Sequence, residues 1–429
     1  MSLFKKFFLF IFIFTITFIL YGCSASKNLA DDDYFAPGGD YEIPGLDAAP
    51  SDKEDAKPSE PDAEGDEVNN QGPIAGQITA AAWSDTENYD FWLSLFESTQ
   101  ENSAGLFSEY FMRLNEYSSS IYTQNMITVN ITNDNNPLED LSVKVYNDNY
   151  SFETKTNVFG NAYLFLPQNP TFPYTIEYND QTYELSSYSK EPIKLTVDKN
   201  NSNTKLLDLM FVIDTTGSMG DELEYLKSEI KDVIENINTD QNNIRLSLLF
   251  YRDTGDQYVT RFYNFTNNIS EQINNISNQN ANGGGDFPEA VDQALSMAVT
   301  QGSWSNEPST KLLIHVLDAP PHTSKENLSL FTKSILQAAQ KGIHIIPVAS
   351  SGIDKWTEYL LRVEALITGG TYTYLTNDSG IGNDHIDATV ESVVVEYLNA
   401  MLIRLINEYY TGIKTEPIPY NQTNKNTTK

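Results

Sequence analysis

The apolar positions of the chain change their spacing several times, and each change marks a different kind of segment. Residues 7–20 are predominantly apolar and follow Lys5 and Lys6. That is about the length of a signal-peptide core and short of the ~20 residues that span a bilayer, so residues 1–22 read as a leader. Residues 23–75 carry few aliphatic side chains, and Ser, Pro, Gly, Asp and Glu dominate most of them. Such a composition cannot offset its own ordering entropy and predicts a disordered, solvated tether. Tyr89, Phe91, Trp92, Leu95 and Phe96 then recur at mixed three- and four-residue spacing, which predicts a short amphipathic helix within a helical connecting segment over 76–125. From Met126 the pattern alternates, through Ile127, Val129 and Ile131, then Leu141, Val143 and Val145, with short runs at 162–166, 174–178 and 193–197. Short strands separated by Asn, Asp and Pro turns predict a small antiparallel β-sandwich over 126–200.

Over 204–412 apolar runs alternate with helical periods. Residues 206–213 are long enough for a strand buried on both faces, and Leu223, Leu226, Ile230, Val233, Ile234 and Ile237 follow at helical spacing. Further strands are predicted at 244–251, 258–265, 312–317, 343–348 and 371–375, and helices near 288–300, 325–340, 356–367 and 387–409. The alternation predicts a doubly wound α/β domain with a mainly parallel sheet, in which ligands bind beyond the carboxyl ends of the strands. Residues 413–429 read as a disordered tail.

At 429 residues the chain has room for two folded domains plus appendages. The formal net charge is −32, and although fourteen acids fall within residues 31–67, the remainder stays strongly acidic. A surface of that sign repels phosphate backbones and argues against a nucleic-acid partner. Gly283-Gly284-Gly285 follows an Asn-rich stretch rather than a buried strand and no Lys-Ser/Thr pair comes after it, so no nucleotide site is expected. Cys23 is the only cysteine, which excludes an intramolecular disulfide or a cysteine metal site. The string Leu20-Tyr21-Gly22-Cys23 resembles a bacterial lipobox. That resemblance implies cleavage before Cys23, lipidation of Cys23, and a chain tethered to a membrane of the bacterial cell envelope. Ser24 resembles the residue of lipoproteins sent to an outer membrane, if the cell has two membranes. An uncleaved anchor with an incidental cysteine is the alternative, and it too exports the rest.

The candidate chemistry starts at Asp214-Thr215-Thr216-Gly217-Ser218, where a buried strand ends in one carboxylate and two hydroxyls within a single turn. Mg²⁺ takes oxygen ligands at about 2.0–2.1 Å and keeps several waters, so such a loop leaves a coordination position open for another ligand. Asp318 follows the strand over 312–317 in the same way. Asp214-x-Thr216-x-Ser218, the loop Gly283-Gly284-Gly285-Asp286-Phe287-Pro288-Glu289-Ala290 and Asp318, in that order, resemble a von Willebrand factor type A domain over about half of the chain. Tyr251-Arg252-Asp253 and Asp318-Ala319-Pro320-Pro321-His322 are similar to a bacterial branch of it also met in lipoproteins.

The resemblance implies a site for Mg²⁺ or Mn²⁺ held by Asp214, Thr216 and Ser218, with Asp318 acting through water, and an acidic side chain of a partner protein filling the open position. The family's loop threonine is missing here. Asp286 is the nearest oxygen ligand; a carboxylate in that place tightens the metal and weakens the pull on an incoming anion. Its other role is to cap a helix starting at Pro288. Arg252, Asp253 and His322 are expected behind the ligands. The run 154–162 resembles a turn of carboxypeptidase-regulatory-like and related immunoglobulin-like modules, and the sandwich reads as a spacer. No catalytic triad, HExxH or P-loop is present, so no enzyme is expected. Metal-assisted hydrolysis and a metal-independent structural role in the envelope are the alternatives to metal-dependent adhesion.

Overall fold

The computed structural model describes residues 73–99, 105–117, 121–199, 205–237 and 243–425; the leader, Cys23 and most of the acidic tether lie outside them. No described helix is long and apolar enough to cross a membrane. The first element is a strand, β1 (Thr79–Trp83), followed by the helices α1 (Tyr89–Ser94) and α2 (Ser108–Tyr117). The aromatic repeat therefore forms its helix, but the residues ahead of it are no connector, because Thr-Ala-Ala-Ala-Trp enters the central sheet. Alanine favours helix intrinsically. Pairing on both sides overrides that preference here.

The β-sandwich comprises β2 (Met126–Asn133), β3 (Asn136–Pro137), β4 (Ser142–Asn147), β5 (Tyr150–Lys155), β6 (Asn161–Phe165), β7 (Tyr174–Tyr178), β8 (Gln181–Leu185) and β9 (Ile193–Thr196). One sheet runs β3-β2-β6 with β9 on β2, and the other runs β5-β4-β7-β8. All pairs are antiparallel except β2 with β9. Strands β5 and β8 were not expected from the pattern. In β8 four of the five residues are exposed, so its sequence carries almost no apolar alternation.

The α/β part runs β10 (Leu207–Asp214), α3 (Gly220–Asn236), β11 (Ile244–Tyr251), β12 (Thr260–Thr266), α4 (Ile269–Ser277), α5 (Val291–Gln301), β13 (Thr310–Leu317), α6 (Lys325–Lys341), β14 (Ile343–Ala349), α7 (Lys355–Thr368), β15 (Tyr372–Leu375), β16 (Glu396–Tyr397) and α8 (Leu398–Thr411). Its sheet order is β12-β11-β10-β13-β14-β15-β1-β16. Strands β11, β10, β13, β14 and β15 are parallel, while β12 at one edge and β1 near the other are antiparallel. Every residue of β10 and β13 is buried, as a parallel sheet covered on both faces requires. Leu209, Phe211 and Ile213 of β10 pack with α3 and α8, and Met210 and Val212 pack in the core formed with α5, α6 and α7.

Four stretches differ from expectation. Helix α5 starts at Val291, not Pro288. The predicted helix over 387–409 is confined to α8, because the chain before it bonds to charged groups of α7: Thr389 N donates to the buried Glu358 Oε1 at 2.6 Å and Lys355 Nζ reaches Asp387 O. Helix α4 was not expected, and its last turn runs into the Asn-rich stretch over 274–282; the Asn268 side chain accepts from Glu271 N at 3.3 Å and starts it. The expected tail is held through residue 425 in part by Ile418 N donating to Glu396 Oε1 and Tyr420 N to Val395 O, at 3.1 and 2.9 Å.

The sandwich docks at the amino ends of the parallel strands. Thr310 Oγ1 donates to Glu139 Oε1 at 2.6 Å, and the buried Lys311 ammonium meets Asp140 at 3.3 Å, with Lys155 on the same carboxylate at 2.8 Å. One apolar cluster runs through the sandwich, α1, α2 and α5 to α7. All described residues fall in one compact unit, and the opposite end of the sheet is left for the site.

Candidate metal centre

Strand β10 has β11 on one side and β13 on the other, so the strand order reverses at its carboxyl end, where doubly wound sheets leave a crevice. Asp214 is the last residue of β10 and Asp318 follows the last residue of β13, so the two carboxylates flank that point. Asp214 is fully buried, and its Oδ1 accepts from Thr216 N at 2.8 Å and Thr216 Oγ1 at 2.7 Å. Thr216 Oγ1 lies 3.0 Å from Ser218 Oγ, in the turn that leads into α3. Thr215, between them, points away: its Oγ1 donates to Tyr251 O at 2.8 Å. The alternation of the motif is thus a division of labour, with Asp214, Thr216 and Ser218 together and Thr215 anchoring the loop.

The glycine loop closes over this turn. Gly217 N donates to Gly283 O at 3.0 Å, and Gly284 N to Asp256 Oδ2 at 2.8 Å. Gly284 has φ +72°, and a Cβ there would stand 2.8 Å from Glu289 Oε1 and 3.3 Å from Thr216 Cβ. Only glycine lets the loop approach so closely. Asp286, the loop acid expected at the metal, instead lies exposed beside Phe287. The acid turned inward is Glu289, 3% exposed. Its backbone sets this, since Glu289 N donates to Pro320 O at 3.0 Å and so ties the residue to the loop that begins at Asp318.

Burial and like charge act together on the acids at this end of the sheet. Burial raises the Asp214 pKa, and Asp318 raises it further against the opposing bonds from Thr216. Burial also raises Asp318, opposed by Ser218 and reinforced by Glu222. Glu289 is pushed up to about 9, by burial first and then by Asp214, Asp253, Asp318 and Asp256. Among the described residues, Asp214 Oδ2, Asp318 Oδ1 and Glu289 Oε2 are buried without a hydrogen-bond partner. Buried polar atoms are ordinarily paired. Orphaned carboxylate oxygens beside two hydroxyls are the donor set of a hard divalent cation, so the residues fit such an ion. No three His, Cys, Asp or Glu side chains among the described residues converge as a ligand cluster.

Arg252, Asp253 and His322 brace the loops around the centre. Arg252 Nε donates to Thr215 O at 3.2 Å and its Nη2 to Asn280 O at 2.9 Å, with the guanidinium 4.5 Å from the Tyr258 ring centre. Asp253 Oδ1 is 2.7 Å from His322 Nε2, joining the loop after β11 to the loop after β13. Glu222, on the first turn of α3, was not anticipated. It is buried, accepts from Ser351 N at 3.1 Å and lies 3.6 Å from His385 Nε2. Helical spacing marks neither Glu222 nor Glu289; the visible cue for Glu289 was an acid between Pro288 and the apolar start of α5.

Residues 208–362 match the family model of the von Willebrand factor A domain. Among curated proteins, an ariadne-like RING finger protein of Acanthamoeba polyphaga mimivirus is 23% identical over 228 residues, covering 49% of this chain and 22% of its own length. The alpha-protein kinase vwkA of Dictyostelium discoideum is 30% identical over 135 residues, covering 31% of this chain and 21% of its own. The matches thus span about a fifth of the length of these relatives. Among solved structures, a conserved hypothetical protein BatB from Bacteroides thetaiotaomicron is 13% identical with a TM-score of 0.32, covering 42% of this chain and 91% of its own. Proximal thread matrix protein 1 from the mussel byssus, whose MIDAS motif is occupied by zinc, is 16% identical with a TM-score of 0.31, covering 38% and 40%. With β10 ending on Asp214 at the reversal of a mainly parallel sheet, residues 208–362 of this chain are a von Willebrand factor A domain.

Proposed function

We propose that this protein is an exported, lipid-anchored adhesion module that binds a partner protein through a divalent cation, Mg²⁺ or Mn²⁺, at Asp214, Thr216, Ser218 and Asp318. A domain of this family supports protein binding as the broad activity. The observation that carries the metal reading is the pair of orphaned, buried oxygens, Asp214 Oδ2 and Asp318 Oδ1, beside the Thr216 and Ser218 hydroxyls. A bound cation supplies charge compensation and an exchangeable coordination position. The protein's part is to hold the oxygens: Thr216 fixes the Asp214 rotamer, and the glycine loop and the Asp253–His322 pair set the rim. An acidic side chain of the partner is the group that answers this chemistry. Anchorage through Cys23, on the surface of a bacterial envelope, completes the reading. We assign the site no catalytic role.

The test is capture of envelope proteins by the wild-type chain and by Asp214→Ala, each with Mg²⁺ and with chelator. Capture lost both on chelation and in Asp214→Ala supports the proposal. Capture that survives both supports a metal-independent assembly role instead.

A further inference from the structure

Strand β8 is an open edge of the sandwich that lacks the usual protections. An edge strand exposes a row of unpaired N–H and C=O groups, and proteins ordinarily blunt it with Lys, Pro, a bulge, shortness or a covering element. The other edge of the same sheet follows that rule: α6 packs over β5, with Gln340 Nε2 donating to Glu153 Oε2 at 2.8 Å. So does β3 of the facing sheet, which is two residues long and ends in Pro137. Strand β8 holds neither Lys nor Pro, and its register with β7 runs unbroken from Gln181 to Leu185. Among the described residues, only β7 bonds to its backbone.

The hairpin geometry says which groups are free. Asn179 and Asp180, both at positive φ (43° and 60°), form a two-residue loop. Such a loop makes Tyr178 with Gln181 a hydrogen-bonded pair, and by alternation Ile176 with Tyr183 and Tyr174 with Leu185 as well. The N–H and C=O groups of Thr182 and Glu184 therefore point away from β7. Tyr183 shares the face of its partner Ile176, which is fully buried, yet Tyr183 itself is 40% exposed. The strand overhangs the core with a bare backbone edge and an uncovered aromatic ring beside it.

We propose that β8 is a self-association edge, which pairs antiparallel with β8 of a second copy about a dyad at Tyr183. In this register Thr182 of each copy exchanges both backbone bonds with Glu184 of the other, so every outward group is used. The charges select the same register, because each Glu184 then faces a threonine. Moving the dyad to Glu184 sets the two glutamates opposite each other, and moving it to Thr182 sets Glu184 against Asp180; like charges directly opposite are destabilising. Tyr183 meets its twin as a non-hydrogen-bonded pair, with Cα atoms about 4.5 Å apart, and each ring covers the other. The two four-stranded sheets become one continuous sheet across the dimer. A single short edge buries little area, so the dimer is weak and concentration-dependent. The sandwich alone forms this interface, which stands apart from the cation reading.

The test is sedimentation velocity of the full chain over a concentration series, in mild detergent so that residues 7–20 do not themselves associate. The wild type should show a monomer–dimer equilibrium. Thr182→Pro removes an outward N–H and leaves the bonds to β7 intact, and Tyr183→Lys sets like charges at the dyad. Each should weaken the dimer about ten-fold or more, since the symmetry counts every loss twice. Melting temperatures check that the variants fold, and either folded variant suffices. The register is read by oxidative cross-linking in a Cys23→Ser background. Tyr183→Cys should form a disulfide-linked dimer much faster than Glu184→Cys, because the register sets the two copies of residue 184 out of line, beyond disulfide reach. A monomeric wild type, a dimer unaffected in a folded Thr182→Pro or Tyr183→Lys, or equal cross-linking at 183 and 184 overturns the inference.

Discussion

Arg362→Met should separate the N-terminal segment from the domain it completes. Arg362 is fully buried on α7, and its Nε donates to Asp85 Oδ2 at 2.9 Å while Nη2 reaches Oδ1 at 2.5 Å. Asp85 also accepts from Trp83 Nε1 at 2.9 Å, and Arg362 Nη1 donates to Thr389 O. The guanidinium lies 5.3 Å from the ring centres of both Trp92 and Phe107. One side chain therefore joins β1, α1, the segment before α2 and the chain ahead of β16. Removing it leaves Asp85 buried and charged, at a cost of about 3–5 kcal/mol. Replacing both partners, as in Asp85→Leu with Arg362→Met, removes the unpaired charge but orphans the Trp83 N–H and the Thr389 carbonyl, each worth about 1–3 kcal/mol. The double variant should therefore be no less stable than Arg362→Met alone, with a coupling energy of about 2 kcal/mol or more. Urea unfolding followed by tryptophan fluorescence measures this, since Trp83 and Trp92 lie against the pair. Additive losses would refute the reasoning.

Further outcomes are fixed by other contacts. Glu229 accepts from the N–H groups of Gly76, Gln77 and Ile78 at 2.9–3.1 Å, so Glu229→Leu should cost about 1–3 kcal/mol and speed hydrogen exchange at those amides, whereas unchanged exchange would show that the strand edge alone holds them. Gly284→Ala forces a side chain into φ +72° and against Glu289, at about 1–2 kcal/mol of backbone strain, and should weaken cation binding in a calorimetric titration; unchanged affinity would free the loop from any role in the site. His344 is buried against Tyr409 with its Nδ1 2.6 Å from Thr368 O, and burial lowers its pKa below the ordinary 6.5. Its neutral form is the folded one, so its contribution to stability is present above pH 6.5 and is lost as pH falls through the depressed value. His344→Gln should flatten that limb of a stability-against-pH profile, and an unaltered limb would assign the acid loss to other groups.

Much of the frame was legible because burial wrote it into the pattern. Strand β11 falls on the predicted residues, and β10 and β13 within one or two, since apolar runs buried on both faces have no competing period. Strand β1 was not legible, because three alanines carry no face and its partners lie roughly three hundred residues away, at β15 and β16. Helix α4 was hidden by its asparagines, although Ile269, Ile273 and Ile276 lie on its inner side. At that end of the sheet, the positions of Asp214 and Asp318 at strand ends were legible, and so was the closeness of Thr216 and Ser218 to Asp214 within one turn. That Glu289 rather than Asp286 turns inward could not be read, because it depends on where the backbone bond to Pro320 turns the loop. Glu222 is set by the packing of α3 under residues 351 and 385, a tertiary fact without local signature.

The most direct measurement is calorimetric titration of Mg²⁺ and Mn²⁺ into the protein from Ser24 onward, beside Asp214→Ala. One-site binding in the wild type that is lost in Asp214→Ala is the predicted result. Absence of binding for both metals, or equal binding in Asp214→Ala, would contradict a cation centre at the end of β10.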